Sequence, residues 1–462
     1  MSDIKSINES IIQQIDANIT WHYHIIPKEI SDESILFYID ENKFSNAVSE
    51  ELEILFGKEI RFEKIETDVI LKTLGFYYRK TNDSQNDFSL NGKIDFVDKL
   101  IKEANQLNSS DIHIEIYKDN ARIRMRVDGM LIQRFSIDKK DFPELINKIK
   151  IKSNLDISEK RLPQDGRIQY DNFDIRVSIL PTLYGEKIVL RILGKDATNL
   201  NLDSIGLNGI TKTNYLNGID KTNGLVLISG PTGSGKTTTL YSTLKILNNE
   251  KRNILTIEDP IEYTLNGINQ VQLRDEIGLS FASALKSFLR QDPDIIMLGE
   301  IRDNETAQMA IRASLTGHLV LSTIHTNSAW GTISRLLEMG IPSFLLASTL
   351  NTSVAQRLVR KLCIDCKVID HELIKTKEFN AIEQNLYKSN GCNKCHFTGY
   401  KGRIAIYEVI PINDFFSDCI KNNINPSKKD FLSQNVYSLK EQALEIVKSG
   451  TTSYEEIKSI II

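Results

Sequence analysis

The chain has 462 residues, 41% of them hydrophobic and 26% charged, with 57 Lys+Arg against 61 Asp+Glu for a formal net charge of −4. That composition belongs to a globular protein of roughly two to four domains, excludes a disordered chain, and lacks the global basic field that drives non-specific nucleic-acid binding, so no direct nucleic-acid partner is expected. No apolar run approaches the ~18 residues needed to span a bilayer, Met1-Ser2-Asp3-Ile4-Lys5 lacks the apolar core of a secretory signal, and five cysteines make no disulfide scaffold. The expected location is therefore the cytoplasm, with any membrane role acting through partners.

Residues 1–80 mix strand-like runs such as Ile35-Leu36-Phe37-Tyr38-Ile39 with helical stretches such as Asn46 to Phe56, and are read as an N-terminal domain. Thr81-Asn82-Asp83-Ser84-Gln85-Asn86-Asp87 is polar without an apolar period, the pattern of a linker. A second unit, 91–195, opens with Ile94, Val97, Ile101 and Ala104 at helical spacing. Two segments of period 2 follow, Asp111 to Ile116 and Ala121 to Val127, the second ending in the turn signal Asp128-Gly129. With further strands at Phe173 to Ile179 and Glu186 to Ile192, the pattern predicts a small α+β domain, and 194–199 is the next hinge.

From 205 to 360 buried apolar strands alternate with amphipathic helices: Leu225 to Ile228, Ile254 to Ile257, Ile295 to Leu298 and Leu319 to Ile324. Alternation of this kind predicts an α/β domain with a mainly parallel sheet. The helix after Asp303 places Ala307, Ala310, Ile311, Ser314 and Leu315 on one stripe. A cysteine-bearing segment at 361–408 and a helical region at 409–462 complete the chain.

Between the strand Gly224 to Ser229 and a helix with Leu240, Leu244 and Leu247 on one face lies Gly230-Pro231-Thr232-Gly233-Ser234-Gly235-Lys236-Thr237, then Thr238. This matches G-x-x-x-x-G-K-[ST] in its required strand-to-helix context. Glycines let successive amides converge on phosphate oxygens, and the helix N-terminus adds partial positive charge. Lys236 is expected to reach the β/γ phosphates of a nucleoside triphosphate, and the Thr237 hydroxyl to ligate Mg²⁺.

Hydrolysis also needs carboxylates, one toward Mg²⁺ and one toward the attacking water. Two strand ends supply them: Glu258, Asp259 and Glu262 after one buried strand, and Glu300 after another. Spacing does not decide between Glu262 and Glu300 as the base. His318 and His325 bracket a further buried strand, and His325, at its C-terminal end, is placed either to sense the γ-phosphate or to join the network of the sheet edge. Cys363-Ile364-Asp365-Cys366 and Cys392-Asn393-Lys394-Cys395 form two C-x2-C knuckles, the signature of a closed four-thiolate Zn²⁺ site. Such a site is structural, a staple on an excursion from the α/β domain. Cys419 stands alone and reads as a core residue.

Taken together, these segments resemble the type II secretion and type IV pilus assembly ATPases over about residues 91–410. The resemblance rests on Ser110-Asp111-Ile112-His113-Ile114-Glu115, on Arg161-Leu162-Pro163-Gln164-Asp165-Gly166-Arg167, and on Gly185-Glu186-Lys187. It continues through the phosphate loop, Glu258-Asp259-Pro260-Ile261-Glu262, and Gly299-Glu300-Ile301-Arg302-Asp303, with Gly299 where other P-loop enzymes carry Asp. The run from Gln356-Arg357-Leu358 to the cysteines and Gly399-Tyr400-Lys401-Gly402-Arg403 is similar to the family's zinc-bearing segment.

The resemblance implies a RecA-like P-loop domain preceded by a small PAS-like α+β domain that closes on the nucleotide, an N-terminal adaptor domain and a zinc-binding insertion. It further implies a homo-hexamer, peripheral at the inner membrane through platform and adaptor proteins, with domain rotation driven by ATP hydrolysis. Arg176 and Arg191 of the small domain would then reach the phosphates, joined by Arg290 from the α/β domain. Lys286 stands where the family usually has a second Arg, and lacks the bidentate geometry. The competing reading, a RecA-like nucleic-acid translocase, requires a basic, aromatic-interleaved loop that the sequence lacks.

Overall fold

The structure is a computed structural model describing residues 9–78, 96–194, 201–374 and 385–461, apart from Gln13, Asp16, Asp32, Asn172 and Ser204. The expected linker at 81–87, Ile94 of the expected helical stripe and residues 195–199 of the expected hinge lie outside these. The chain divides into two compact units: Met1–Asp87 with Lys361–Lys401 and Lys448–Ser453, and Phe88–Arg360 with Gly402–Val447 and Tyr454–Ile462.

In the first unit, β1 (Ile25–Ile30) runs antiparallel to β2 (Ser34–Asp40), which runs parallel to β3 (Glu59–Ile65). Alternation along β2 buries Ile35, Phe37 and Ile39 in a core shared with Leu52 of the connecting helix Asn46–Phe56. That helix starts where the Ser45 hydroxyl accepts from the Val48 amide, and stops at Gly57 in the left-handed region, φ 63°.

The cysteine segment was expected as an excursion of the α/β domain, and the structure revises this by grouping it with the N-terminal module. Its own strands, Val368–Ile369 and Tyr387–Lys388, are two residues each and too short to enclose a core. It therefore leans on other parts of the chain. Phe397 packs against Trp21 with ring centroids 6.1 Å apart, the Leu362 amide donates to the Thr451 carbonyl at 2.8 Å, and Lys367 Nζ donates to the Gly450 carbonyl at 2.9 Å.

The second unit holds a six-stranded sheet of β4 (Asp111–Ile116), β5 (Ala121–Val127), β6 (Met130–Ile137), β7 (Gln164–Gln169), β8 (Phe173–Thr182) and β9 (Gly185–Gly194). Its order is β6-β5-β4-β9-β8-β7, with every neighbour antiparallel. Helices Phe96–Gln106 and Phe142–Lys152 cover one face through Val97, Leu100, Ile101, Leu145 and Ile149, leaving the other face to polar side chains. The outer strands β6 and β7 carry little alternation, which is why periodicity alone passes over them.

The α/β domain follows. Its strands are β10 (Gly224–Ser229), β11 (Ile254–Glu258), β12 (Asn269–Gln272), β13 (Ile295–Leu298), β14 (Leu319–Ile324) and β15 (Leu350–Leu362). They assemble in the order β12-β11-β13-β14-β10-β15, followed by the strand Tyr400–Pro411. The pairs from β12 through β15 are parallel. The first strand in sequence, β10, thus lies inside the sheet between β14 and β15, and its C-terminal end opens at a topological switch point. Leu315 departs from the predicted buried stripe: it is the last residue of helix Asn304–Leu315 and 48% exposed, whereas Ala307, Ala310, Ile311 and Ser314 are buried. Cys419 is buried in the core, as expected.

Candidate active site

Register brings the strand ends together. Ser229 pairs with Ile324 and with Ala355, and Leu298 pairs with Ser322 and with Ile257. Gly230, Asp259, Glu300, His325 and Gln356 therefore share one edge of the sheet. The phosphate loop occupies this edge, and the helix Lys236–Leu247 leaves from it with Gly235 as its N-cap at φ 87°. A Cβ at Gly235 would sit 2.9 Å from Gln356 Nε2, so both conformation and space require glycine there. Gln356 in turn braces the loop, donating to the Ser234 carbonyl at 2.8 Å and accepting from the Thr239 hydroxyl at 2.9 Å.

Lys236 Nζ donates to the carbonyls of Gly230 at 2.8 Å and Pro231 at 3.2 Å. Burial pulls its pKa down, opposed by Glu300 and reinforced by the nearby Arg357. Pro231, Thr232, Gly233 and Thr237 are exposed, and the first amides of the helix lack intrahelical acceptors by construction. Ser234 Oγ is buried without a partner among the described residues. Exposed amides, a lysine and a helix N-terminus form an oxyanion cradle, which fits a nucleotide's phosphates.

Glu300 lies beside this cradle. It accepts from His325 Nε2 at 3.1 Å and pairs with Arg302, whose Nη2 is also 3.6 Å from Asp259 Oδ2. Its neighbour Gly299 is closely packed: a Cβ there would meet the Ile257 carbonyl at 3.3 Å and the Phe281 ring at 3.4 Å, so a larger residue would press its neighbours aside by a few tenths of an ångström. His318, at the other end of β14, has a local role, with Nδ1 2.9 Å from the Ala313 carbonyl at the end of helix Asn304–Leu315.

Glu258 departs from the expected place in the nucleotide site. It is 3% exposed, and its carboxylate accepts from the Thr256 hydroxyl at 2.6 Å, from Gln270 Nε2 at 3.1 Å and from the buried Tyr241 hydroxyl. The same Tyr241 oxygen accepts from the Glu262 amide at 3.2 Å, and Gln270 holds the Tyr263 carbonyl at 2.9 Å and the Leu265 amide at 2.7 Å. Glu258 therefore anchors the segment carrying Glu262. Tyr241 and Gln270 carry no motif by which sequence could find them, and Arg357 enters the sequence reading only as part of the run toward the cysteines, with no role of its own.

Arg176 and Arg191 come from the polar face of the six-stranded sheet, where they are direct cross-strand neighbours. Burial lowers the pKa of Arg176 while Glu262 and Asp259 oppose that shift, so its guanidinium lies in the field of the acidic segment. Arg191 donates from Nε to Asp111 Oδ1 at 2.8 Å, which raises its pKa, and Glu262 contributes to the same shift. Both arginines thus lie within the electrostatic reach of Glu262. Arg290 is not brought to the cluster: its terminal nitrogens donate to the Lys286 carbonyl at 3.0 Å and to Ser287 Oγ at 3.4 Å, while Lys286 pairs with Glu305 at 2.9 Å.

In the other unit, the sulfurs of Cys363, Cys366, Cys392 and Cys395 all lie within 4.8 Å of one another. The Cys363–Cys392 separation is 3.9 Å, and Cys395 is 3.8 Å from both Cys366 and Cys392. A tetrahedron of four thiolates about 2.3 Å from a zinc ion has edges of about 3.8 Å, so the donor set fits that metal.

The family model described as type II/IV secretion system protein matches residues 87–459. The chain is 43% identical over 407 residues to the putative type II secretion system protein E of Escherichia coli (strain K12), covering 86% of this chain and 83% of that protein. It is 44% identical over 378 residues to the type IV pilus assembly ATPase PilB of Myxococcus xanthus (strain DK1622), covering 79% and 67%. Among solved structures, the Legionella pneumophila ATPase DotB superposes with a TM-score of 0.61 over 82% of this chain and 98% of that one, at 22% identity, a likeness of fold. Among the described residues, no helix is long and apolar enough to cross a membrane.

Proposed function

The chain belongs to the type II/IV secretion system protein family, and from that premise we propose that it is a P-loop ATPase motor serving type II secretion or type IV pilus assembly. The observation that carries this reading is the single sheet edge where Lys236, Glu300 and His325 meet, faced across Glu262 by Arg176 and Arg191. Thr237 and Glu300 are the groups that would hold Mg²⁺, which when bound neutralises charge between phosphate oxygens. Lys236 exchanges its loop carbonyls for phosphate oxygens. With Glu300 assigned to Mg²⁺ and oriented for it by Arg302 and His325, Glu262 is left as the base that takes the proton of the attacking water. Arg176 and Arg191 reach from the small domain to the phosphates and draw that domain inward, which links nucleotide binding to domain rotation.

On the same reading, the four thiolates hold one Zn²⁺ as a structural site, and the protein works as a cytoplasmic homo-hexamer. Its N-terminal module meets the platform and adaptor proteins of an inner-membrane machine. The test is steady-state ATP hydrolysis by the full chain and by Lys236→Ala. The variant is expected to fall below about a tenth of the wild-type rate with its melting temperature unchanged; retention of wild-type turnover would refute the assignment.

A further inference from the structure

One row of side chains runs across the exposed face of the six-stranded sheet. In register from β7 to β5 it reads Arg167, Arg176, Arg191, Asp111, Arg126. Four guanidiniums share the row with one carboxylate, although like charges opposed across strands repel. One member of the row is left wanting an acceptor: the Nε of Arg176 is buried with no partner among the described residues.

Asp111 is the organising group. Its Oδ1 takes the Arg191 Nε at 2.8 Å, while Oδ2 accepts from the Ser110 hydroxyl at 2.8 Å and lies 3.6 Å from Arg126 Nε. The pairing is asymmetric, with the Asp111 side chain 9% exposed and that of Arg191 60% exposed. A buried anchor therefore grips an exposed guanidinium by its inner nitrogen and leaves both terminal nitrogens for another acceptor. Burial pushes the Asp111 carboxyl up, but the bonds from Arg191 and Ser110 outweigh it and hold the group ionised below the usual carboxylate range.

We propose that Asp111 is a positioning residue for phosphate recognition, fixing Arg191 within the guanidinium row so that its terminal nitrogens meet the nucleotide together with Arg176. This rests on the proposed role of Arg191 in turnover and gives a purpose to the Ser110-Asp111 pair, which the phosphate loop and its carboxylates leave unused. Asp111 acts through Arg191 and touches no substrate itself. It also supplies the local counter-charge without which the row would splay.

The experiment measures kcat, KM and ATP affinity for the full chain carrying Arg191→Ala, Asp111→Ala, Asp111→Asn, or Asp111→Ala with Arg191→Ala, with melting temperatures alongside. Arg191→Ala and Asp111→Ala are each expected to lower kcat about tenfold, the scale of one charge-assisted contact in the transition state, with KM and affinity changed by less than about threefold. The double variant should be no slower than Arg191→Ala alone, because the two residues act as one unit. Asp111→Asn keeps an oxygen for Arg191 Nε and should recover part of the loss. Should Asp111→Ala fail to fold, Asp111→Asn alone and combined with Arg191→Ala gives the same comparison. Wild-type kcat in the Asp111 variants beside a slow Arg191→Ala would overturn the positioning role and leave the arginine clamp standing. Wild-type kcat in Arg191→Ala would overturn both, and additive losses in the double variant would show Asp111 acting independently of Arg191.

Discussion

Tyr241→Phe tests whether the buried Glu258 network sets the position of Glu262. The substitution keeps the ring, its edge contact with Tyr263 at 5.7 Å and the surrounding packing, and removes one oxygen. That oxygen donates to the Glu258 carboxylate and accepts from the Glu262 amide at 3.2 Å. Losing a bond to a buried charge costs about 1.5–3 kcal/mol and a neutral bond about 1 kcal/mol, so stability should fall by roughly 2–4 kcal/mol. The amide bond is the part that places Glu262, and about 1 kcal/mol expressed in the transition state is about a fivefold loss of kcat. ATP affinity should stay within about twofold, since the Lys236 and Gln356 contacts are untouched. Urea unfolding, equilibrium nucleotide binding and single-turnover hydrolysis read these three quantities separately. A destabilised variant with wild-type single-turnover rate would refute the idea that this network positions the segment for chemistry.

Three further outcomes are expected. Glu262→Gln should abolish hydrolysis while retaining ATP binding, whereas Glu300→Gln should also raise the Mg²⁺ concentration needed for half-maximal effect; full activity in Glu262→Gln would move the base elsewhere. Metal analysis of tag-free protein should return about one zinc per chain, and chelation should lower the melting temperature of the unit holding the cysteines with little effect on ATP affinity. Arg124 and Arg122, against the opposing effect of burial, hold the Glu115 carboxyl at about 2 instead of its ordinary 4.5. Because its folded pKa is depressed, this stabilisation is complete above about pH 4.5 and is lost as pH falls toward 2. Glu115→Gln should therefore flatten the acid limb of a urea-unfolding series, and an unchanged limb would show that the pair contributes nothing.

Local pattern was enough for the parts whose chemistry is contiguous. The phosphate loop must be a continuous run, because consecutive amides and one lysine surround the same phosphates, and two C-x2-C knuckles announce a four-thiolate cluster for the same reason. Strands such as Ile295–Leu298 and Leu319–Ile324 were legible from their unbroken apolar character, and Ala121–Val127 from its alternation. Edge strands β6 and β7 were not, because a strand with one free side needs no strict alternation. What only the tertiary structure decided is which side chains meet across distant segments. Glu258 resembled a nucleotide ligand in its acidic run, yet folding turned it inward onto Tyr241, Thr256 and Gln270. Asp111 and Arg191 are neighbours only because β4 pairs with β9, and the cysteine segment leaves the α/β domain for the N-terminal module only through its packing with Trp21 and the 448–453 strap. Sequence specifies the chemistry a short stretch carries; strand order and register, set by burial of the whole core, choose the partners that chemistry acts with.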